Sequence, residues 1–355
     1  MLKHASALLL AVGLALTAAC SSRPTAPAWE IANPIEPLPP PPLGITASFT
    51  DLKEPPTPAR VRLGRWLYFD KRLSGDGTLS CASCHDPADG FSLKTAVATG
   101  IRGQHGTRKP PSFENEAWTL YPYFFWDGRA ASLEDQALGP IANPVEMGNT
   151  HAHMVQTLQA IPAYAPYFAQ AFGSPAITQD RIVHAIADYE RTVMSGNSPY
   201  DRWRLKRDQS AVSASVKRGY DLFFGKAGCD QCHLGQNFTD NRFHNVGVGW
   251  DPAAKTFKDE GRFGITHQAA DHGAFKTPTL RDVVLHPPYM HDGSFATLRQ
   301  VVEHYNKGGE ANPWLDPKVQ PLHLTDQDVD DLVALMESLT GDTRTGTKVL
   351  TDFPH

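Results

Sequence analysis

An all-α protein built from two related units is the fold this sequence predicts. Three observations carry that expectation: helical periodicity behind hydroxyl-bearing caps, an internal repeat, and one C-x-x-C-H string in each half of the chain.

The first residues read as a leader. Lys3 precedes an apolar run from Ala5 to Leu16, too short to span a bilayer, and small residues follow, so residues 1–19 read as an export signal and the periplasm is the expected location. Cys20 after Thr17-Ala18-Ala19 resembles a bacterial lipoprotein processing site, with Thr17 where such sites usually carry leucine. The other reading is ordinary cleavage near Ala18-Ala19 with Cys20 left as a free thiol; such a thiol is unusual in an exported protein, which favours a lipid anchor in the outer membrane. Residues 20–54 read as a proline-rich linker, and Pro24 to Pro42 as an extended, semi-rigid tether rather than a packed element.

Helical segments follow. Thr57-Pro58 opens one with Leu63, Trp66 and Leu67 on a single face, a cap residue followed by proline in the first turn. Similar patterns cover Thr178 to Met194, Ser213 to Phe224 before Gly225, Thr297 to Tyr305, and Thr325 to Leu339 before Gly341, each with a hydroxyl near its start. A further helix begins near Ser132, and strand signals are sparse.

Trp126-Asp127-Gly128-Arg129-Ala130-Ala131-Ser132-Leu133 aligns with His291-Asp292-Gly293-Ser294-Phe295-Ala296-Thr297-Leu298. Each half also holds a C-x-x-C-H string, Cys81-Ala82-Ser83-Cys84-His85 and Cys229-Asp230-Gln231-Cys232-His233. Two thiols one helical turn apart can reach both vinyl groups of a porphyrin, and the adjacent histidine can bind its iron. A redox dithiol needs no following histidine, and no further cysteine pair lies nearby to complete a zinc shell. Two covalent heme c groups are therefore expected, attached through Cys81, Cys84, Cys229 and Cys232, with His85 and His233 as iron ligands. Duplication of a cytochrome c-like unit accounts for the pattern, with one unit at 55–205, the other at 206–345, and the boundary in the polar stretch from Ser195 to Ser213.

With 355 residues, 41% hydrophobic, the chain has room for two domains of ordinary size. Its net charge of −5 argues against a nucleic-acid surface or an anionic-membrane patch, and points to small redox proteins as partners. Apart from Cys20, no cysteine remains for a disulfide, so the porphyrins would supply both cross-links and core.

Further motifs extend the pattern: Phe69-Asp70, Arg72-Leu73-Ser74, Phe125-Trp126-Asp127-Gly128-Arg129, Asn143-Pro144-Val145-Glu146-Met147, Phe243-His244-Asn245-Val246-Gly247 and His291-Asp292-Gly293. In these the chain resembles the bacterial diheme cytochrome c peroxidase and MauG family from about Pro55 to about Leu339. The resemblance implies an all-α pair of cytochrome c-like domains whose hemes face a shared interface. It implies hydrogen peroxide as the substrate of the N-terminal heme, Glu146 and Gln136 lining the pocket on its distal side, and Trp126 between the hemes. Glu146 would move a proton between the peroxide oxygens and Gln136 would orient them. The plainer readings are a capping or surface carboxylate, a solvated helical amide and a core tryptophan.

Family members that need reductive activation carry a blocking histidine in the loop after the first heme string. Aligning Gly100 and Arg108 puts Ile101 there, while His105 aligns with a position that is not a ligand, so the first heme is expected to be open. At the second heme the usual methionine ligand falls fourteen residues after His291, where this chain has Tyr305, as MauG does. A phenolate would lower that heme's potential. Tyr305 also completes an apolar stripe with Leu298, Val301 and Val302, so packing is the competing reading, and Met290, Met336 and His304 are rival ligands. Two departures from MauG stand out: Ala227 lies where MauG has a surface tryptophan, and Lys109 replaces an asparagine of the inter-heme calcium site, with His286 in place of another ligand residue. No bound calcium is expected.

The resulting expectation is a periplasmic peroxidase passing electrons through the C-terminal heme, the donor being a cytochrome c or a cupredoxin. The alternatives are a MauG-like oxidase of side chains in a partner protein and a non-catalytic electron-transfer cytochrome. A homodimer is compatible with either enzyme.

Overall fold

The structure is a computed structural model that describes residues 26–118 and 123–355; the expected leader and Cys20 lie outside the described residues. The chain is 40% helical with few strands. Its helices are α1 (Ala28–Ala32), α2 (Pro58–Phe69), α3 (Leu133–Ala142), α4 (His151–Gln159), α5 (Ala165–Phe172), α6 (Gln179–Arg191), α7 (Pro199–Lys206), α8 (Ala214–Phe223), α9 (Phe263–Thr266), α10 (Leu298–Asn306) and α11 (Asp326–Glu337). Among the described residues six strands of two or three residues pair as three antiparallel ribbons: β1 (Ser195–Gly196) with β6 (Thr343–Arg344), β2 (Phe243–Asn245) with β5 (Ala274–Lys276), and β3 (Trp250–Asp251) with β4 (Thr256–Phe257).

Side-chain hydroxyls start the helices that the sequence predicts. Thr57, Ser132, Thr178, Ser213, Thr297 and Thr325 each accept a backbone N–H from the first turn, satisfying a donor that the helix itself leaves unpaired. Helices α1, α4, α5, α7 and α9 were not predicted; Thr150 and Ser198 cap α4 and α7.

Two apolar cores result. Trp66, Leu67, Tyr68, Phe168, Ile186 and Tyr189 centre the first, around α2 to α6. Val216, Phe223, Leu298, Val302, Leu332 and Leu335 centre the second, around α8, α10 and α11. In each, a glycine on the opening helix permits a close crossing. A Cβ on Gly64 would lie 1.7 Å from the Ala185 carbonyl oxygen of α6, and one on Gly219 would lie 2.0 Å from the Asp331 carbonyl oxygen of α11.

The N-terminal stretch departs from its expected role. The proline-rich stretch, expected to be a free tether, packs against the body from residue 27 onward. Trp29 donates to the Tyr167 hydroxyl at 3.2 Å, Asn33 to the Arg62 carbonyl at 2.9 Å, and Glu36 pairs with Arg65 at 3.1 Å. Leu43 and Gly44 then reach the other half, where fully buried Arg281 donates to Gly44, to both oxygens of Asp201 (2.9 and 3.0 Å) and to the Gln236 carbonyl at 2.6 Å. The reason is local: prolines fix an extended path, but the aromatic and charged residues between them find partners on α2 and α5. At the other end, residues after Thr343 return to the first core, where Leu350 is buried and Tyr189 donates to the Gly346 carbonyl at 2.6 Å.

Candidate functional site

Both C-x-x-C-H strings fold as one tight turn, Cys81–Ser83 and Cys229–Gln231. The His85 amide donates to the Cys81 carbonyl at 3.0 Å and the His233 amide to the Cys229 carbonyl at 2.9 Å, which gathers two thiols and an imidazole within a single turn. His85 Nδ1 lies 3.1 Å from the Phe91 carbonyl oxygen and His233 Nδ1 lies 2.8 Å from that of Phe238. A carbonyl can only accept, so Nδ1 carries the hydrogen in each ring and Nε2 keeps its lone pair for a metal. Phe91 and Phe238 reach these positions with left-handed backbones (φ 54° and 52°), a strain that their buried rings sustain.

The thiols do not suit redox or zinc chemistry. Burial pushes Cys84 up to about 11 and Cys229 up to about 12, the reverse of the depressed values that make a dithiol reactive. Cys232, Asp240 and His244 stand close enough to hold an ion, yet His244 gives both ring nitrogens to carboxylates, Asp316 at 2.6 Å and Asp240 at 3.0 Å. A porphyrin joined through thioethers, with iron on the free Nε2, fits this donor chemistry at both strings.

A cavity of about 1090 Å³ lies along the first string, and it brings together Cys81, Cys84, His85, Trp126, Gln136 and Glu146, all expected at one site. Asp259, Thr279 and His291 from the second half close its far side, so the site lies between the halves. Gln136 stands in the first turns of α3, and Glu146 on the short loop after it. Burial raises the Glu146 carboxyl above its ordinary range, while Arg129 and a hydrogen bond from Asn143 oppose the shift. Ile101 is buried: its amide donates to the Glu146 carbonyl at 2.7 Å and its side chain meets Gly148. His105 is exposed, with Nδ1 3.3 Å from the Ala98 carbonyl.

Trp126 donates from Nε1 to the Lys109 carbonyl at 2.7 Å, and the Lys109 amide donates to the His291 carbonyl at 2.8 Å. The two repeat partners are thus joined through the backbone of one residue, Lys109, and His291 stacks on Phe275 at 3.6 Å with an interplanar angle of 11°. The buried Lys109 ammonium donates to the carbonyls of Leu93 and, at 3.2 Å, Thr95. Burial brings it down to about 8 and brings His286, whose Nε2 has no partner, down to about 4.

The repeat is realised in three dimensions. Phe125 and Met290 are left-handed (φ 67° and 73°), as are Gly128 and Gly293, and bridges join Phe124 to Ala130 and Tyr289 to Phe295 before α3 and α10 begin. Tyr305, fourteen residues after His291, therefore occupies the helical position of Pro140, fourteen after Trp126. Pro140 lines the first cavity and bears no donor atom. Tyr305 lies beside Cys229 and Cys232, and burial together with these thiols holds its phenol well above its ordinary range. Of the rival ligands, His304 Nε2 is 2.7 Å from the Val246 carbonyl, Met336 belongs to the second core, and Met290 forms the turn.

The family description "Di-haem cytochrome c peroxidase" matches residues 58–210. The methylamine utilization protein MauG of Methylorubrum extorquens is 44% identical over 286 residues, 80% of this chain and 79% of that protein. The chain belongs to the di-haem cytochrome c peroxidase family. A second member, the cytochrome c551 peroxidase of Nitrosomonas europaea, is 36% identical over 311 residues, covering 87% of this chain and 85% of its own. Among solved structures, a MauG-like protein associated with microbial copper homeostasis superposes with a TM-score of 0.75 at 33% identity, over 86% of this chain and 94% of that one. Two wall residues of this family member, Pro140 and Glu190, escaped the sequence reading. The repeat alone pointed to Pro140; Glu190 reads as an ordinary amphipathic-helix carboxylate until the helices are packed.

Proposed function

We propose that this chain is a periplasmic diheme peroxidase that reduces hydrogen peroxide at the pocket of Cys81, Cys84 and His85, with electrons entering through the unit of Cys229, Cys232 and His233. The observation that carries the reading is the single cavity lined by His85, Gln136 and Glu146. Heme c, when bound, supplies iron that binds a peroxide oxygen and exchanges electrons with it. The chain supplies the rest. His85 would hold the metal through Nε2, its other nitrogen fixed by the Phe91 carbonyl. Glu146 would take the proton from one peroxide oxygen and return it to the departing one, which leaves as water; two electrons from the donor and two protons from solvent then release the other oxygen as a second water. Gln136 orients the substrate by hydrogen bonding, and Pro140 and Ile101 offer nothing that blocks it. Trp126 and the Lys109 peptide connect the two units. Tyr305 would hold the second iron through its phenol oxygen, the Lys109 ammonium takes the place of a calcium ion, and a small redox protein is the donor. Lipid on Cys20 would attach the protein to the outer membrane; among the described residues no helix is long and apolar enough to cross a membrane.

The test is addition of hydrogen peroxide to the diferric and the half-reduced protein while visible spectra are recorded. A site open in the diferric state reacts at once, and silence in both states leaves only an electron-transfer cytochrome. A second reading, a MauG-like oxidase of side chains in a partner protein, is favoured by Tyr305 and by the 44% identity to MauG. It predicts reaction with peroxide but no sustained turnover with a reduced cytochrome or cupredoxin.

A further inference from the structure

Glu190 has no task in that mechanism, yet it stands on the wall of the same cavity. It is the penultimate residue of α6, 5% exposed, with Oε2 buried and without a hydrogen-bond partner. A carboxylate ionised there loses its hydration at Oε2 and gains no bond at that atom in return. The neighbouring guanidinium is engaged elsewhere, since Arg191 binds Glu134 at 2.7 Å and Asp188 at 3.1 Å. The groups facing Glu190 are Tyr68 from α2, Cys81 from the attachment turn, Tyr189 and Arg191 on its own helix, and Glu134 from α3. Arg65, behind Tyr189, is paired with Glu36 at 3.1 Å. With no cation dedicated to it, the carboxyl is lifted by burial to about 8, Arg191 pulling it down and Glu134 pushing it up.

We propose that Glu190 is the redox-linked proton site of this pocket: its carboxyl takes a proton from solvent when the iron held by His85 gains an electron, and releases it when that electron leaves. The electron comes from the external donor, the proton from water, and one O–H bond forms at Glu190 and breaks on reoxidation. A poorly screened negative charge beside the site makes added electron density costly, and protonation removes that charge.

The inference rests on the reading that heme is held at Cys81 and Cys84, so heme content is measured first, by mass and by the absorption of the reduced protein; a chain without heme at the first string sinks that reading itself. With heme present, the midpoint potential of the first site is followed from about pH 6 to about pH 9, together with reduced-minus-oxidised infrared difference spectra. The expected wild-type result is a potential that falls as pH rises and a carboxylic C=O band that shifts in D2O. Glu190→Gln flattens the slope and removes the band. Glu190→Asp, which keeps a carboxyl, retains the slope and displaces the band. A flat wild-type profile, or a slope and band that persist in Glu190→Gln, overturns the proposal. Should the glutamine variant not fold, a band of unchanged frequency in Glu190→Asp overturns it as well.

Discussion

Tyr305 and Pro140 hold the same position in two copies of one turn-and-helix unit, and they differ in one respect that matters to a metal: the tyrosine has an oxygen to give and the proline has nothing. The two sites are therefore chemically unequal although their attachment turns are nearly identical. Tyr305→Phe is expected to change the visible spectrum and the potential of the second heme and to leave the first heme untouched. Unchanged spectra would reduce Tyr305 to a packing residue.

Glu146→Gln is expected to slow the reaction with peroxide by roughly two to four orders of magnitude with heme content unaltered, as rapid mixing would record. The pH dependence follows from the same carboxyl. It must be ionised to accept a proton, and burial raises it, so the rate falls with acidification at a pH above the ordinary carboxylate range. Arg129→Gln removes the opposing charge and should move that limb to still higher pH.

Lys109 predicts indifference to calcium. Neither added calcium nor a chelator should alter the heme spectra or the melting temperature. The lysine also leaves a signature in stability. Its ammonium titrates near 8 in the fold against an ordinary 10.5, so between these values the unfolded chain binds more protons and stability rises with pH. Lys109→Met should flatten that rise, and thermal melts between about pH 8 and about pH 10.5 would reveal it.

Trp126→Phe keeps a ring in the cavity wall but loses the 2.7 Å bond to the Lys109 carbonyl. Electron exchange between the hemes, triggered by flash reduction, should slow while each heme keeps its own spectrum. An unchanged exchange rate would mean that the contact through Lys109 carries no coupling.

Gly64→Ala and Gly219→Ala should each destabilise the fold by about 1–3 kcal/mol or more, because the added methyl meets a carbonyl of the crossing helix and α2 or α8 must move. Denaturant titration of the holoprotein would measure it.

Much of this architecture was legible in the residues themselves. Thr57, Ser132, Thr178, Ser213, Thr297 and Thr325 announced their helices because a hydroxyl before an apolar stripe satisfies orphan amides whatever the tertiary context. The strings around Cys81 and Cys229 were legible because thioether chemistry tolerates little variation in spacing. What escaped depends on contacts distant in sequence. Glu190 looks like any carboxylate at the end of an amphipathic helix until α3 and the Cys81 turn cover it. Pro140 looks like a helix breaker until the repeat is laid in space beside Tyr305. The stretch from Trp29 to Gly44 has the composition of a spacer, and it becomes part of the body through partners that lie elsewhere in the chain, among them Tyr167, Arg62, Arg65 and Arg281.

If Cys20 carries lipid, that docked stretch limits how far the protein can stray from a membrane. A lipid on Cys20 would leave only the residues up to Trp29 as a leash, about 30 Å at full extension. The body would ride close to the bilayer, with a soluble electron carrier approaching along the membrane surface and the face nearest α1 hidden from any large partner.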